Sequence, residues 1–391
     1  MNTAILHPIV QQFITDNLKS NITKLILKGS PFDSVTIQEL ANQIVAKEKS
    51  EQKLKTWFSA KNIYYPPKIS IEQTSSEITA DYKSKLISGN SIIDITGGLG
   101  VDCLYFSKKF KKVIHCEINE DLSTIVKHNY QQLNVKNIAI ISGDGIEFLK
   151  NTDTYFDCIY IDPSRRNDLK EKVFLLKDCL PNVPENIDFL FTKTNHILLK
   201  NSPILDISSA ILELKFVREI HVVAIKNEVK EVLFLLEKNY EKEIQIKTVN
   251  IHKEDTQRFD FELKEEATSN YSEPLSYLYE PNAAILKSGG FHQISKQLEV
   301  FKLHQHSHLY TSEKLITFPG RSFKIKNVLN YDKKKLKKIL IEKKANITTR
   351  NFPKTVAQIR KETNLKDGGT SYIFFTTDNK NDLKSIICTK Y

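Results

Sequence analysis

Tryptophan and methionine occur once each in 391 residues, and the five cysteines (Cys103, Cys116, Cys158, Cys179, Cys388) are scattered with no C-x-x-C pair. An odd number of widely spaced cysteines fits neither a disulfide framework nor a cysteine-based zinc site, and suits free, buried thiols in a reducing compartment. Long apolar runs are also missing, since none exceeds about five residues and a bilayer span needs roughly twenty. The first twenty residues alternate apolar and polar without a basic start and an apolar block, so no secretory signal is read there. These absences predict a cytoplasmic protein with no membrane partner. With 40% hydrophobic and 27% charged residues, the composition is globular, which excludes a fibrous or wholly disordered chain. The length suggests two or three domains, and no internal repeat is visible.

Charge is present in excess: 57 Lys and Arg against 47 Asp and Glu give a formal +10. It is unevenly placed. Residues 1–90 carry 11 Lys and no Arg against 8 acids, residues 91–262 sum to −4, and residues 263–391 sum to +11. Residues 321–391 alone hold 18 bases against 6 acids. A polyanionic partner is therefore expected to meet the C-terminal part first.

The first part reads as helical. In Thr36–Phe58, Ile37, Leu40, Ile44, Val45, Leu54 and Phe58 recur at helical spacings, Thr36 with Glu39 forms a capping-box signature, and Pro66-Pro67 bars continuation. The second part alternates short β-rich runs (91–95, 112–118, 137–142, 157–162 and 196–200) with amphipathic stretches, the pattern of βαβ units on a parallel sheet. Near its end, 218–225 and 230–237 are too close for a parallel crossover, so they are read as an antiparallel hairpin. A polar stretch, 264–274, precedes the third part, which includes the lysine-dense helix candidate 331–345.

In a doubly wound sheet, ligands sit outside the carboxyl ends of the strands. Asp94-Ile-Thr-Gly-Gly-Leu-Gly-Val-Asp102 lies between a predicted strand and a predicted helix, where glycines let the backbone turn and approach a ligand. The dinucleotide fingerprint G-x-G-x-x-G fits poorly, because Cys103 takes the third glycine position. Glu117 ends the second strand, where a carboxylate can hold ribose hydroxyls. Asp144 follows the third strand and is either an acceptor for an adenine amino group or a turn aspartate. Asp162 ends the fourth, in Ile161-Asp-Pro-Ser-Arg-Arg166.

On these residues the sequence resembles the class I S-adenosylmethionine-dependent methyltransferases over roughly 90–262. The resemblance implies a doubly wound, Rossmann-like α/β fold with a seven-stranded sheet whose last strand is antiparallel. It implies S-adenosylmethionine as cofactor, with Asp94, Thr96, Gly98, Gly100 and Asp102 in its loop, Glu117 on the ribose and Asp144 near the adenine. Thr96 departs from a position often filled by glycine. Asp162-Pro163-Ser164-Arg165 is similar to the [DN]-P-P-[aromatic] motif of amino-group methyltransferases, which assigns these four residues the catalytic role. In that motif a carboxylate and a backbone carbonyl accept hydrogen bonds from the target NH₂ and aim its lone pair, and rate comes from positioning, with no metal required. Ser164 replaces the second proline and Arg165 the aromatic; a guanidinium can also stack on a base, and Arg166 beside it can hold phosphate.

Together with 198–207, 279–289, 318–325, 347–353 and 365–369, these motifs resemble bacterial methyltransferases that end in a THUMP-like domain. That family implies a helical region 1–88, a methyltransferase domain 89–262, a small ferredoxin-like segment 263–319 and an α+β THUMP-like domain 320–391. Its substrate would be RNA, tRNA or rRNA, with a nucleobase nitrogen as methyl acceptor. Substrate contacts are expected from Arg166, Arg321, Lys334, Lys337 and Arg350, the basic residues suited to tracking phosphates. Three other readings stay open at this point: a methyltransferase for a protein or small molecule, a non-catalytic RNA-binding protein with a degenerate cofactor fold, and a nucleotide-dependent oxidoreductase, against which Cys103 and the Asp162–Arg166 segment count. His304, His306 and His308 alternate, which on one strand would place them on one face, yet no fourth zinc ligand is evident at typical spacing.

Overall fold

The computed structural model describes residues 1–165, 175–339 and 343–391, with the backbone alone at Arg165 and Lys337. Arg166 and the side chains of Arg165 and Lys337 lie outside the described residues. The chain divides into two compact units, one of residues 1–217 and 233–241, the other of 218–232 and 242–391.

The first unit opens with short helices. The Thr36–Glu39 capping box forms as its signature predicts: the Glu39 carboxylate accepts from the Thr36 N–H at 2.8 Å and the Thr36 hydroxyl accepts from the Glu39 N–H at 3.2 Å. The expected single helix to Phe58 is interrupted. It runs Ile37–Lys53, breaks at Leu54 (φ −133°), and resumes as Lys55–Ser59. Leu54 and Trp57 are both buried, and turning them inward is what the break achieves.

Five strands follow: β1 (Ser91–Asp94), β2 (Lys112–Glu117), β3 (Ile138–Ser142), β4 (Cys158–Ile161) and β5 (His196–Asn201). They pair in parallel in the order β3-β2-β1-β4-β5. Ile92, Ile93, Ile159, Ile161, Leu198 and Leu199 are fully buried, which explains the unbroken apolar runs in the sequence. The chain order reverses between β1 and β4, and the loops after β1, β2, β3, β4 and β5 open at the carboxyl edge of that switch point.

The second unit holds most of β6 (Val217–Ile225), the first half of β7 (Glu228–Glu237), then β8 (Gln245–Ile251) and β9 (Thr256–Glu262), in the order β7-β6-β8-β9. The β6–β7 turn has only two residues, Lys226 and Asn227, both at positive φ (50° and 65°), the twist that suits a tight hairpin. The seven strands expected are β1 to β7. Within the second unit β8 and β9 lengthen the ladder beyond β6: β8 buries the polar Thr248 and Asn250 beside Ile246 and Val249, and β9 has one largely exposed face, so neither gives a strong apolar signal in the sequence.

The same unit contains a seven-stranded sheet of β10 (Tyr277–Pro281), β11 (Phe301–His304), β12 (Ser307–Ser312), β13 (Gly320–Asn330), β14 (Asn346–Arg350), β15 (Ser371–Thr377) and β16 (Leu383–Lys390), ordered β11-β12-β10-β13-β16-β15-β14. One sheet therefore runs through the point at residue 319 where the sequence suggested a division. Leu278, Leu303, Leu309, Phe323, Phe374 and Ile386 form a core of this sheet. The lysine-dense helix spans Lys333–Ile339, with Leu336 buried and Lys333, Lys334 and Lys335 exposed. The three histidines do not share a strand. The β11–β12 turn falls between His304 and Ser307, and His304 Nδ1 accepts from Asn351 Nδ2 at 2.9 Å. Among the described residues no group of three His, Cys, Asp or Glu is placed to hold a metal, and no helix is long and apolar enough to cross a membrane.

Candidate active site

The loop after β1 is packed from below. A Cβ on Gly97 would stand 2.3 Å from the His115 ring, and one on Gly100, at φ +78°, 2.0 Å from the Tyr130 hydroxyl. Those two glycines let the loop lie against β2 and the helix Glu120–Gln132. Gly98 differs: at φ +55° a Cβ would meet only the Thr96 carbonyl at 3.8 Å, so this residue faces open space. Beneath the loop, Tyr130 donates to the Gly100 carbonyl at 2.7 Å, and His115 Nε2 lies 3.2 Å from the Gly98 carbonyl. Burial pulls the His115 pKa down to about 4, so the imidazole is neutral at pH 7 and its N–H can donate to that carbonyl.

Glu117, at the end of β2, reaches this loop. Its Oε2 accepts from the Gly98 N–H at 2.8 Å and its Oε1 from the Asn119 N–H at 2.7 Å, which fixes both carboxylate oxygens beside the open face of Gly98. At the end of β3, Asp144 caps the helix Gly145–Lys150: its Oδ1 accepts from the Ile146 and Glu147 N–H groups at 2.7 and 3.1 Å. A turn role and an adenine contact are thus compatible at this residue, because the cap uses one oxygen of the two.

Asp94 turns back into its own loop. Its Oδ1 accepts from the Thr96 N–H and hydroxyl at 2.9 and 3.1 Å, and the Cys103 thiol lies 3.4 Å from Oδ2. Burial, aided by the charges of Asp102 and Asp162, raises its pKa to about 7 against the hydrogen bond from Thr96. Thr96 proves to be more than a tolerated small residue: its hydroxyl also accepts the Asp162 N–H at 2.7 Å, tying the β1 loop to the end of β4.

Asp102 requires a correction. Expected among the cofactor contacts, its carboxylate faces the interior, 3.0 Å from Lys83 Nζ and bonded by Ser75 and Tyr160 at 2.7 and 3.0 Å. Burial would raise its pKa, but the ammonium groups of Lys83 and Lys200 outweigh that and hold it below the ordinary carboxyl value. Ser75 and Lys83 come from the N-terminal helical region, which thereby supports the loop after β1 from behind.

Asp162, Pro163 and Ser164 leave β4 directly into a two-residue ladder in which Ser164 pairs with Leu180 and Arg165 with Cys179. The Asp162 side chain is about one third exposed and is held by Lys200, whose Nζ lies 2.5 Å from Oδ2. All five cysteines are buried and free, as their spacing suggested.

In the second unit, two of the expected substrate contacts are engaged elsewhere. Arg321 Nε lies 2.7 Å from Glu280 Oε2 and Arg350 2.6 Å from Glu280 Oε1, with the glutamate buried and both arginines near 40% exposed. Lys334 faces solvent beyond the helix start capped by Asp332.

Comparison with known proteins places this geometry. A crystal structure from Porphyromonas gingivalis W83, named as a methyltransferase, is 30% identical, with a TM-score of 0.89 over 99% of this chain and 98% of that one. The chain belongs to this methyltransferase family. Residues 89–245 of the methyltransferase match the family described as RNA cap guanine-N2 methyltransferase, 277–319 a ferredoxin-like domain, and 320–390 a family described as THUMP domain-like. A protein of Mycoplasma mobile named as an uncharacterized RNA methyltransferase, MMOB5020, is 33% identical over 90 residues. That match covers 22% of this chain, which spans only a quarter of the Mycoplasma protein's length.

Sequence reasoning missed Lys200, Lys83 and Ser75 of this methyltransferase. For Lys200 a signal existed: it stands at the carboxyl end of the strand that the fold places beside β4, one step from Asp162. Lys83 and Ser75 had none, because a lysine at the end of a short polar helix reads as solvated.

Proposed function

We propose that the methyltransferase transfers the methyl group of S-adenosylmethionine to a nitrogen of a nucleobase in RNA, with residues 89–262 carrying the chemistry and 320–391 meeting the RNA. The observation that carries the cofactor reading is the convergence at Gly98. Its outward direction is open, its N–H is held by Glu117 from the end of β2, and the end of β4 is tied to the same loop through Thr96. These residues fit the cofactor: Glu117 suits the ribose hydroxyls, Asp144 the adenine side, and the Asp94–Cys103 loop the methionine side. When bound, S-adenosylmethionine supplies an electrophilic methyl group.

The chain's own task is then to present the acceptor. Asp162 and the carbonyl at Pro163 accept hydrogen bonds from the target NH₂ and turn its lone pair toward the methyl, positioning that removes orientational freedom before reaction. A base within a helix has to be flipped out to reach this edge. RNA as substrate is supported by the THUMP-like match, the name of the Mycoplasma relative and the +12 charge of residues 321–391. Mass spectrometry of nucleosides from total RNA, with and without the gene, tests this reading. One methylated nucleoside should disappear on deletion; an unchanged profile would remove the RNA assignment.

A further inference from the structure

Ile161 is in register with Leu199 across the parallel pair β4–β5, so the next rung brings Asp162 and Lys200 face to face at the carboxyl edge. The lysine side chain is only 12% exposed, and its ammonium contacts Asp162 Oδ2 while its charge also reaches Asp102. Enclosing a long cationic side chain carries desolvation and ordering costs that a surface lysine avoids. Asp162 is gripped from its other end as well, by the 2.7 Å bond from its N–H to the Thr96 hydroxyl. Main chain and carboxylate are thus fixed from the β1 loop and from β5, and the lysine contact is made through Oδ2.

We infer that Lys200 is a positioning residue for methyl transfer, holding Asp162 in the one rotamer that presents Oδ1, together with the Pro163 carbonyl, to the acceptor nitrogen. The inference rests on the methyltransferase reading above. A carboxylate released from Lys200 would sample other rotamers and move its acceptor oxygen by an ångström or more, a displacement that costs about 100-fold in rate where orientation is the source of catalysis. Arginine at 200 keeps a charge-assisted hydrogen bond to the carboxylate, though with a different fork geometry.

The test uses the full-length protein, tritiated S-adenosylmethionine, and total RNA from cells lacking the gene. Lys200→Met should lower kcat by about 10- to 100-fold while the calorimetric Kd for S-adenosylmethionine stays within about twofold, and Lys200→Arg should recover part of the loss. Asp162→Asn should lower kcat by itself, and adding Lys200→Met to it should cost less than the same change costs the wild type, because the lysine acts on the acceptor nitrogen through the aspartate. Additive losses, or a Lys200→Met variant with unchanged kcat, would overturn the positioning role. Crystal structures of the wild type and Lys200→Met give a readout that needs no RNA: the Asp162 carboxylate should be single in the first and spread over rotamers in the second. An unmoved Asp162 would also overturn the role. Wild-type protein that binds no S-adenosylmethionine would instead sink the methyltransferase reading itself.

Discussion

The loop after β1 and the C-terminal sheet use charge in opposite ways. Around the loop, buried Lys83 and Asp102 pair with each other and buried Asp94 accepts from Thr96, so each group holds a backbone segment in place. In the C-terminal sheet, Glu280 holds Arg321 and Arg350 at the rim, and Lys333, Lys334 and Lys335 stand in water. Interactions of the buried kind are little affected by salt, while the exposed lysines act weakly one by one and are screened. Net charge therefore marks the basic part of the chain, but not which of its basic residues are open to a partner. Two of the four C-terminal ones expected there are already on a glutamate.

Removing a charge from the buried side should have the largest effect. Lys83→Met leaves Asp102 buried without its ammonium and should destabilise the fold by about 3–5 kcal/mol in chemical denaturation, with Asp102→Leu in the same chain restoring part of the loss. Next, Asp162→Ala should lower methyl transfer by roughly 100-fold while leaving the affinity for S-adenosylmethionine nearly intact, measured by label transfer and calorimetry. Asp94 offers a pH contrast. Its native pKa of about 7 lies above the unfolded value, so its favourable contribution is complete below about pH 4 and is lost as pH rises through 7. The stability advantage of Asp94→Asn over wild type should therefore grow from pH 5 to pH 8, by at most about 1.4 kcal/mol per pH unit, in urea titrations at each pH. Smallest of all, the triple change of Lys333, Lys334 and Lys335 to Gln should weaken RNA binding only at low salt and reduce the salt slope by roughly 0.7–0.9 for each phosphate no longer neutralised. A salt-independent loss would break the contrast between the two regions.

Much of the first unit was legible because its signals are local. Strand periods, the capping box at Thr36, and the order of Gly98, Glu117, Asp144 and Asp162 at successive strand ends all follow from neighbours in the chain, as does the Lys226-Asn227 hairpin of the second unit. What stayed hidden depends on residues far apart in sequence. Asp102 looked like a loop ligand because its partners, Ser75 and Lys83, lie 27 and 19 positions earlier in a region with no motif. Arg321 and Arg350 looked available because Glu280 sits in a strand paired through the sheet rather than through sequence. β8 and β9 were missed since β9 is an edge strand with one wet face and β8 buries polar Thr248 and Asn250, which leaves a weak apolar signal. The alternating histidines share no face for a plainer reason: a turn between His304 and Ser307 ends the period that alternation assumes.

The most direct measurement is calorimetric titration of S-adenosylmethionine into the wild-type protein and Glu117→Ala. Saturable one-to-one binding is expected for the wild type, with a Kd within the roughly 1 μM to 1 mM range common to enzyme substrates. Loss of the Glu117 carboxylate, which removes both the hold on Gly98 and the ribose acceptor, should weaken it by about tenfold or more. Equal affinity in the two proteins, or no binding heat from the wild type at millimolar cofactor, would contradict a cofactor site built at Gly98 and Glu117.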